Sequence, residues 1–294
     1  MTRGMDYYQE QIIENCPVDV VAASNTAMMP YPLRLGHVSE SSPSICNRSD
    51  RYILDSQISS DDVTTTDVIE RGADIDADWV VPVDELNDPT TTTDRVVEMF
   101  IERENYDYHP DILVPLQSNM FFSHVDHYHS LSDELSDYGF ELEGPLAVGG
   151  VKEESASTQI ECVMDVKETV GDTFVHLLGG GYSLDWVVAV RECPGMIDGL
   201  DMSTAVKSIV RGNRLVTPEM DHVSYPQPRG SNSTVLSSML REYVLYLLNF
   251  LMGPDIRESD APSLEQASDE TQQLISAWKE AVDQSDNTEK VIAD

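Results

Sequence analysis

Seven short apolar runs recur along the chain, and their spacing restricts the fold more than any single residue does. They occupy residues 19–24 (DVVAAS), 52–57 (YILDSQ), 79–85 (WVVPVDE), 112–117 (ILVPLQ), 145–151 (PLAVGGV), 175–180 (VHLLGG) and 196–201 (MIDGLD). They begin on average about every thirty residues, the length of one βα unit. Each is largely apolar rather than alternating, as strands buried on both faces are. Amphipathic patterns fill the gaps. Thr91, Thr92 and Thr93 offer a cap for DRVVEMFIERE, which places Val96, Val97, Phe100 and Ile101 on one helix face. Ser155 and Thr158 open the helical pattern QIECVMDVKETV, Ser183 precedes LDWVVAVREC, and Ser203 precedes TAVKSIVR.

Alternating strands and helices predict a parallel sheet of the α/β class. Seven units, with an eighth near 215–217, predict a (β/α)8 TIM barrel. A doubly wound sheet is the alternative, because periodicity alone does not close a barrel. Residues 25–50 and 218–233 are expected to be loops, and 235–252 an apolar helix packed on the barrel. The barrel is assigned to residues 1–252. An acidic C-terminal extension covers 253–294, with one helix over 264–282 and a frayed last dozen residues.

Composition bounds the setting. Among 294 residues, Asp and Glu number 53 against 18 Lys and Arg, a formal net charge of −35, and only five of the basic residues are Lys. The acids are spread along the whole chain. Such a surface suits molar salt, where the Debye length falls to about 3 Å and self-repulsion is screened. At low salt the same charge opposes binding to a polyanion. No apolar run reaches the roughly 18 residues that span a bilayer, and the N-terminus MTRGMDYYQEQ has no signal-like apolar core. The expectation is a soluble cytoplasmic protein with no membrane partner. Cys16, Cys46, Cys162 and Cys193 form no C-x-x-C pair, so free thiols are expected and no metal site.

In a barrel the chemistry sits at the carboxyl ends of the strands. The polar residues there are Asp55, Ser56 and Gln57, then Asp84 and Glu85, then Gln117. Gly149 and Gly150, Gly179 to Gly181, and Asp198 and Asp201 follow. A lone Asp at a strand end is most often a helix cap. Several carboxylates, an amide and two glycine turns on one edge point to a site.

In this order the residues resemble the tRNA-guanine transglycosylase superfamily over roughly residues 50–215. Asp55-Ser56 is similar to that family's DSGG(F/Y)Q strand end. Val83-Asp84-Glu85 is similar to its acidic substrate-recognising pair, and Gln117 to its QG strand end. Gly144-Pro145-Leu146-Ala147-Val148-Gly149 resembles its GGLAVGE turn, and His176-Leu177-Leu178-Gly179 its (H/Y)LMGVG strand. Asp198-Gly199-Leu200-Asp201 fits the strand that ends in its nucleophilic Asp, with Arg211 and Arg214 following at the family's spacing. The chain departs from the pattern at Gln57-Ile58, which stand for Gly-Gly. At Pro145 it lacks a glycine whose N–H would contact the base. It also lacks the Cys-rich zinc motif and any appended RNA-binding module. These departures resemble the short DNA-modifying branch, the DpdA-type DNA-guanine transglycosylases. Archaeal viruses of hypersaline water carry such enzymes, which agrees with the composition.

The resemblance implies exchange of guanine in DNA for a 7-deazaguanine of the preQ0 type. Asp201 is then the nucleophile that holds the sugar covalently, with Asp198 as the alternative, and Asp55 the general base. Asp84 accepts the paired N1–H and N2–H donors of the base, and Gln117 donates to its O6 edge. Ser56, Leu146, Gly149, His176 and Gly179 complete the substrate set. Met120, Phe121 and Tyr182 are candidates for stacking. Arg191, Arg211, Arg214 and Arg229 are candidates for phosphate contacts. No cofactor is required, and a homodimer is compatible with this arrangement. His124, His127 and His129 read as a solvated polar loop before a metal site, since their spacing matches no zinc motif. His176, inside an apolar strand, reads as a satisfied core or pocket-wall residue. The rival expectations are a transglycosylase acting on archaeal tRNA, a nucleic-acid-binding barrel without catalysis, and a glycoside hydrolase using Asp55 and Asp201.

Overall fold

The computed structural model describes residues 14–21, 35–38, 51–56, 63–180, 183–201, 213–215, 222–224 and 262–293. Within them the protein is an α/β structure built on parallel strands. Strands β1 (Asp19–Val21), β2 (Leu35–Val38), β3 (Arg51–Leu54), β4 (Trp79–Val80), β5 (Asp111–Ile112), β6 (Val114–Leu116), β7 (Leu146–Val148), β8 (Val175–Leu177) and β9 (Gly199–Asp201) are all in parallel register with their neighbours. The orders are β2-β3-β4-β5 and β1-β9-β8-β7-β6. The two sheets meet along residues 111–116. There Leu113 N–H donates to Val80 O and Val114 N–H to Pro145 O, each at 2.9 Å.

Each of the seven apolar runs holds a strand, because a backbone buried on both faces must satisfy its N–H and C=O groups in a ladder. Two expectations are corrected. Leu215, the described residue of the expected eighth unit, is not in a parallel strand: β10 (Asn213–Leu215) pairs antiparallel with β11 (His222–Ser224), which lies inside the stretch expected to be loop. A parallel strand absent from the sequence reading is β2, within the polar segment 25–50.

The helices α1 (Thr65–Ile75), α2 (Pro89–Arg103), α3 (His124–Asp137), α4 (Ala156–Val170) and α5 (Leu184–Glu192) alternate with β3 to β9. Short polar side chains start them by accepting the free N–H groups of the first turn. Ser155 caps α4 and Ser183 caps α5, as the sequence suggested. Helix α2 starts earlier than expected: Asp88 is its cap and Pro89 its first residue, where the missing N–H costs nothing. The C-terminal segment divides into a short 3-10 turn (Leu264–Gln266) and a helix α6 (Asp269–Ala293), longer than the helix over 264–282. Helix α6 packs on α4 and α5, with Ile275 fully buried and the Ser268 N–H bound to Asp185 Oδ1 at 2.7 Å. The helices expected after Ser203 and over 235–252 lie outside the described residues.

Two apolar clusters flank the sheet. The larger fills the layer between strands and helices, with Val80, Val96, Leu116, Leu146, Ile160, Leu177 and Trp186 among its members. The smaller is made by strand residues and their immediate continuations: Ile53, Trp79, Val81, Leu113 and Ala147, with Phe174 and Leu178 against them. The rings of Trp79 and Phe174 lie 4.8 Å apart although their strands are not neighbours, so the sheet curves around this cluster. The Arg51 guanidinium covers Trp79 at 4.7 Å and binds Asp19 at 2.8 Å. Asp19 is on β1 and Arg51 on β3, toward opposite ends of the strand order. Among the described residues Cys16, Cys162 and Cys193 form no disulfide, and burial pushes Cys162 and Cys193 up to about 11. No helix of the described residues is long and apolar enough to cross a membrane.

Replacing Arg51 with Met should remove one charged partner from the nearly buried Asp19 carboxylate and cost about 1–3 kcal/mol. Denaturant unfolding in molar salt checks this. An unchanged midpoint would show that the pair does not hold the two ends of the strand order together.

Candidate functional site

Parallel pairing sends every strand end to the same edge. At that carboxyl edge stand Asp55 and Ser56 after β3, Asp84 after β4, Gln117 after β6, Gly149 after β7, Gly179 after β8, and Asp201 at the end of β9. The side chains form two hydrogen-bonded groups.

The first is centred on Gln117, which is fully buried. Its Nε2 donates to Asp84 Oδ2 at 2.5 Å, and its Oε1 accepts the Asn87 N–H at 3.4 Å. A Cβ on Gly149 would meet Gln117 Nε2 at 2.6 Å, and one on Gly150 would meet Oε1 at 2.6 Å. The paired glycines are therefore required by the amide that lies on them, and Gly150 also takes a positive φ of 74°. Burial raises the Asp84 carboxyl to about 6; the nearby Asp55 charge adds to the rise and the Gln117 hydrogen bond opposes it. Ser56 is buried, and its hydroxyl donates to Pro82 O at 3.1 Å, so it braces the β4 end.

The second group is centred on Asp201. Its Oδ1 lies 3.2 Å from His176 Nε2, and its Oδ2 accepts the Gly179 N–H at 3.1 Å. His176 is fully enclosed, so it is a direct partner of the expected nucleophile rather than a passive wall.

The histidine cluster is not a solvated loop. The sequence S-H-V-D sets Ser123 and Asp126 as a capping box, and His124 and His127 enter the first turn of α3 on its buried side. His127 Nδ1 accepts the Gln117 backbone N–H at 2.8 Å, which puts its ring proton on Nε2. That nitrogen sits 3.1 Å from Thr93 Oγ1, whose hydroxyl is spent on Pro89 O. His124 Nε2 donates to the Gly149 carbonyl at 2.9 Å. Burial holds both imidazoles below their ordinary range, His127 at about 4, so both are neutral struts. Sequence reasoning missed them, although the S-x-x-D capping pattern signals a helix start that turns positions 124 and 127 inward. His129 is exposed, and the described residues hold no group of His, Cys, Asp and Glu fit for a metal.

Several expected contributors stand elsewhere. Leu146 opens β7 and packs against the helices, away from the carboxyl edge, so Gly149 remains without it. Pro145 precedes the same strand start, where its lack of an N–H does not touch the site. Asp198 lies at the amino edge, where its Oδ2 binds Lys167 Nζ at 2.6 Å and the Val175 N–H at 2.8 Å. That removes it as the alternative nucleophile. Arg191 is in the last turn of α5, the end that leads into the start of β9, and thus at the opposite edge. Met120 and Phe121 are 85% and 83% exposed. Arg214 falls on β10, and only its backbone is described. Gln57, Tyr182, Arg211 and Arg229 lie outside the described residues.

The two edges treat carboxylates differently. At the amino edge Asp19 and Asp198 are bound by cations, Arg51 and Lys167. At the carboxyl edge the described donors to Asp84 and Asp201 are an amide, a backbone N–H and an imidazole. A cation holds a carboxylate ionised, whereas the uncharged Gln117 amide only partly offsets the rise that burial imposes on Asp84. The sequence matches no protein-family model and no curated protein.

The raised Asp84 carboxyl has a measurable consequence. It is an acid whose folded pKa lies above its unfolded value, so the folded state binds the extra proton between about pH 4 and 6. Stability should fall through that window as pH rises, by about 3 kcal/mol. The difference in unfolding free energy between the protein and Asp84→Asn isolates this slope. In the Gln117→Leu variant, carboxyl NMR should place Asp84 above its value of about 6.

Proposed function

We propose that this protein is a base-exchange transglycosylase that replaces guanine in DNA with a 7-deazaguanine. The observation that carries the proposal is that Asp84 and Asp201 are both nearly buried at one edge, the first bound by the Gln117 amide and the second by His176 and the Gly179 N–H. One carboxylate is then suited to reading a base and the other to attacking a sugar. In this proposal the parallel strands close as a (β/α)8 barrel, with β5 and β6 as one interrupted strand and β2 meeting β1. The Arg51–Asp19 pair between β3 and β1 and the strand-made inner cluster support that closure.

The chemistry follows from the side chains. A flipped guanine presents N1–H and N2–H side by side, and the Asp84 carboxylate accepts both in a fork. Gln117 Nε2 carries a second hydrogen beyond the one given to Asp84, and this hydrogen suits the O6 edge. The Asp201 oxygens are oriented by His176 and the Gly179 N–H. One attacks C1′ of the sugar, the C1′–N9 bond breaks, and a glycosyl ester forms. The leaving guanine takes a proton from Asp55. Asp55 then recovers a proton from N9 of the incoming 7-deazaguanine, whose nitrogen displaces Asp201. Two inversions give net retention at C1′, and no cofactor enters the balance. The separate treatment of a purine reader and a nucleophile favours base exchange over sugar hydrolysis.

The test is incorporation of labelled guanine into duplex DNA or into tRNA, in molar salt, where this acidic chain folds without self-repulsion. Label should enter DNA. Asp201→Asn should lower exchange at least about a thousandfold while the fold persists by circular dichroism. Label entering only tRNA overturns the DNA assignment, and an active Asp201→Asn overturns the nucleophile.

A further inference from the structure

Two large apolar side chains stand in water beside the site. Met120 and Phe121 are 85% and 83% exposed, on a four-residue tip just after Gln117. The tip is held in shape: Asn119 N–H donates to Phe122 O at 2.9 Å, Phe122 N–H returns to Asn119 O at 3.3 Å, and Phe121 N–H donates to Asn119 Oδ1 at 2.9 Å. Below it, the Ser123–Asp126 capping box and the buried His124 and His127 anchor the start of α3. Leaving side chains of this size exposed forgoes about 2 kcal/mol each relative to burial. Adjacent exposed apolar groups on a fixed support mark a contact surface.

The tip itself carries no charge. Residues 112–125 contain no charged side chain, in a chain with 53 acids. A polyanion approaching the tip meets no carboxylate on it. The chain has few cations, and in molar salt phosphate contacts lose most of their value, so affinity must come from apolar and stacking contacts. Met120 is the third residue after Gln117, so the tip lies within about 10 Å of the residue that faces the base.

We propose, resting on the base-exchange function above, that Met120 and Phe121 form a wedge that enters the base stack of duplex DNA beside the flipped guanine. Apolar wedges offset the unstacking cost by filling the gap. The surface is a binding element and takes no part in bond making.

The test uses the whole protein in molar potassium chloride with a DNA duplex carrying 2-aminopurine next to guanines. That probe brightens when its neighbour unstacks. The wild-type protein and Asp201→Asn should both raise its fluorescence, because unstacking does not need chemistry. The double variant M120S/F121S should lose at least about four-fifths of the rise. Its exchange should fall about tenfold or more on duplex DNA and by a clearly smaller factor on single-stranded DNA, which has no stack to open. Equal fluorescence from the double variant overturns the wedge, whatever the exchange assay shows. A wild-type protein that exchanges base without any fluorescence rise also overturns it, and leaves the function standing. A fluorescence rise without exchange supports the wedge and overturns the function. Sedimentation that changes on tip substitution, with fluorescence unchanged, assigns the tip to self-contact and overturns the wedge.

Discussion

A carboxylate taken out of water must find donors, and the way Asp84 finds one organises the carboxyl edge. Its partner is the Gln117 amide, and other atoms of that residue are committed in turn. The amide oxygen takes the Asn87 N–H, the backbone N–H goes to His127, and the amide plane rests on Gly149 and Gly150. His124 and His127 then tie the ends of β6 and β7 to α3, and through Thr93 to α2. One buried charge thus fixes four strand-end and helix-start segments relative to one another. The low dielectric that strengthens these bonds also makes each loss costly.

The contrast between the two edges follows from the same physics. Where a carboxylate only has to close the fold, a cation is the cheapest partner, as with Arg51 on Asp19 and Lys167 on Asp198. Where it has to change its partner or protonation, a cation would hold it too firmly. Burial and the nearby Asp55 charge raise Asp84 to about 6, and the uncharged Gln117 amide opposes this only in part. In a chain with so few basic residues, their placement carries information that the acidic majority does not.

Much of the fold was legible in the sequence, and the losses have physical causes. Continuous apolar runs marked seven strands because both faces of a parallel sheet are covered. The four residues of β2, LGHV, lie in a Ser- and Pro-rich segment and present too little apolar length to stand out. Serines 155 and 183 marked helix starts, whereas Asp88 with Pro89 displaced the threonines expected to cap α2. The site was half legible. Asp84, Gln117, Gly149, Gly179 and Asp201 stand at the expected edge because polar residues close their strands. Leu146 was misplaced because an apolar run does not reveal which of its ends is the strand end. The neutral struts His124 and His127 were missed because their partners, a backbone N–H, a hydroxyl and a carbonyl, leave no trace at a distance in sequence.

The glycines beneath Gln117 have an evolutionary consequence. Since a methyl group at 149 or 150 would occupy the volume of the amide, neither position can drift while residue 117 keeps its length. A shorter residue at 117 would release both glycines at once and would strip Asp84 of its donor. Descendants of this chain should therefore carry positions 117, 149 and 150 as one inherited block, retained or replaced together. Such a correlated triplet would distinguish lineages that still bury a working carboxylate at this edge from those that have kept only the scaffold.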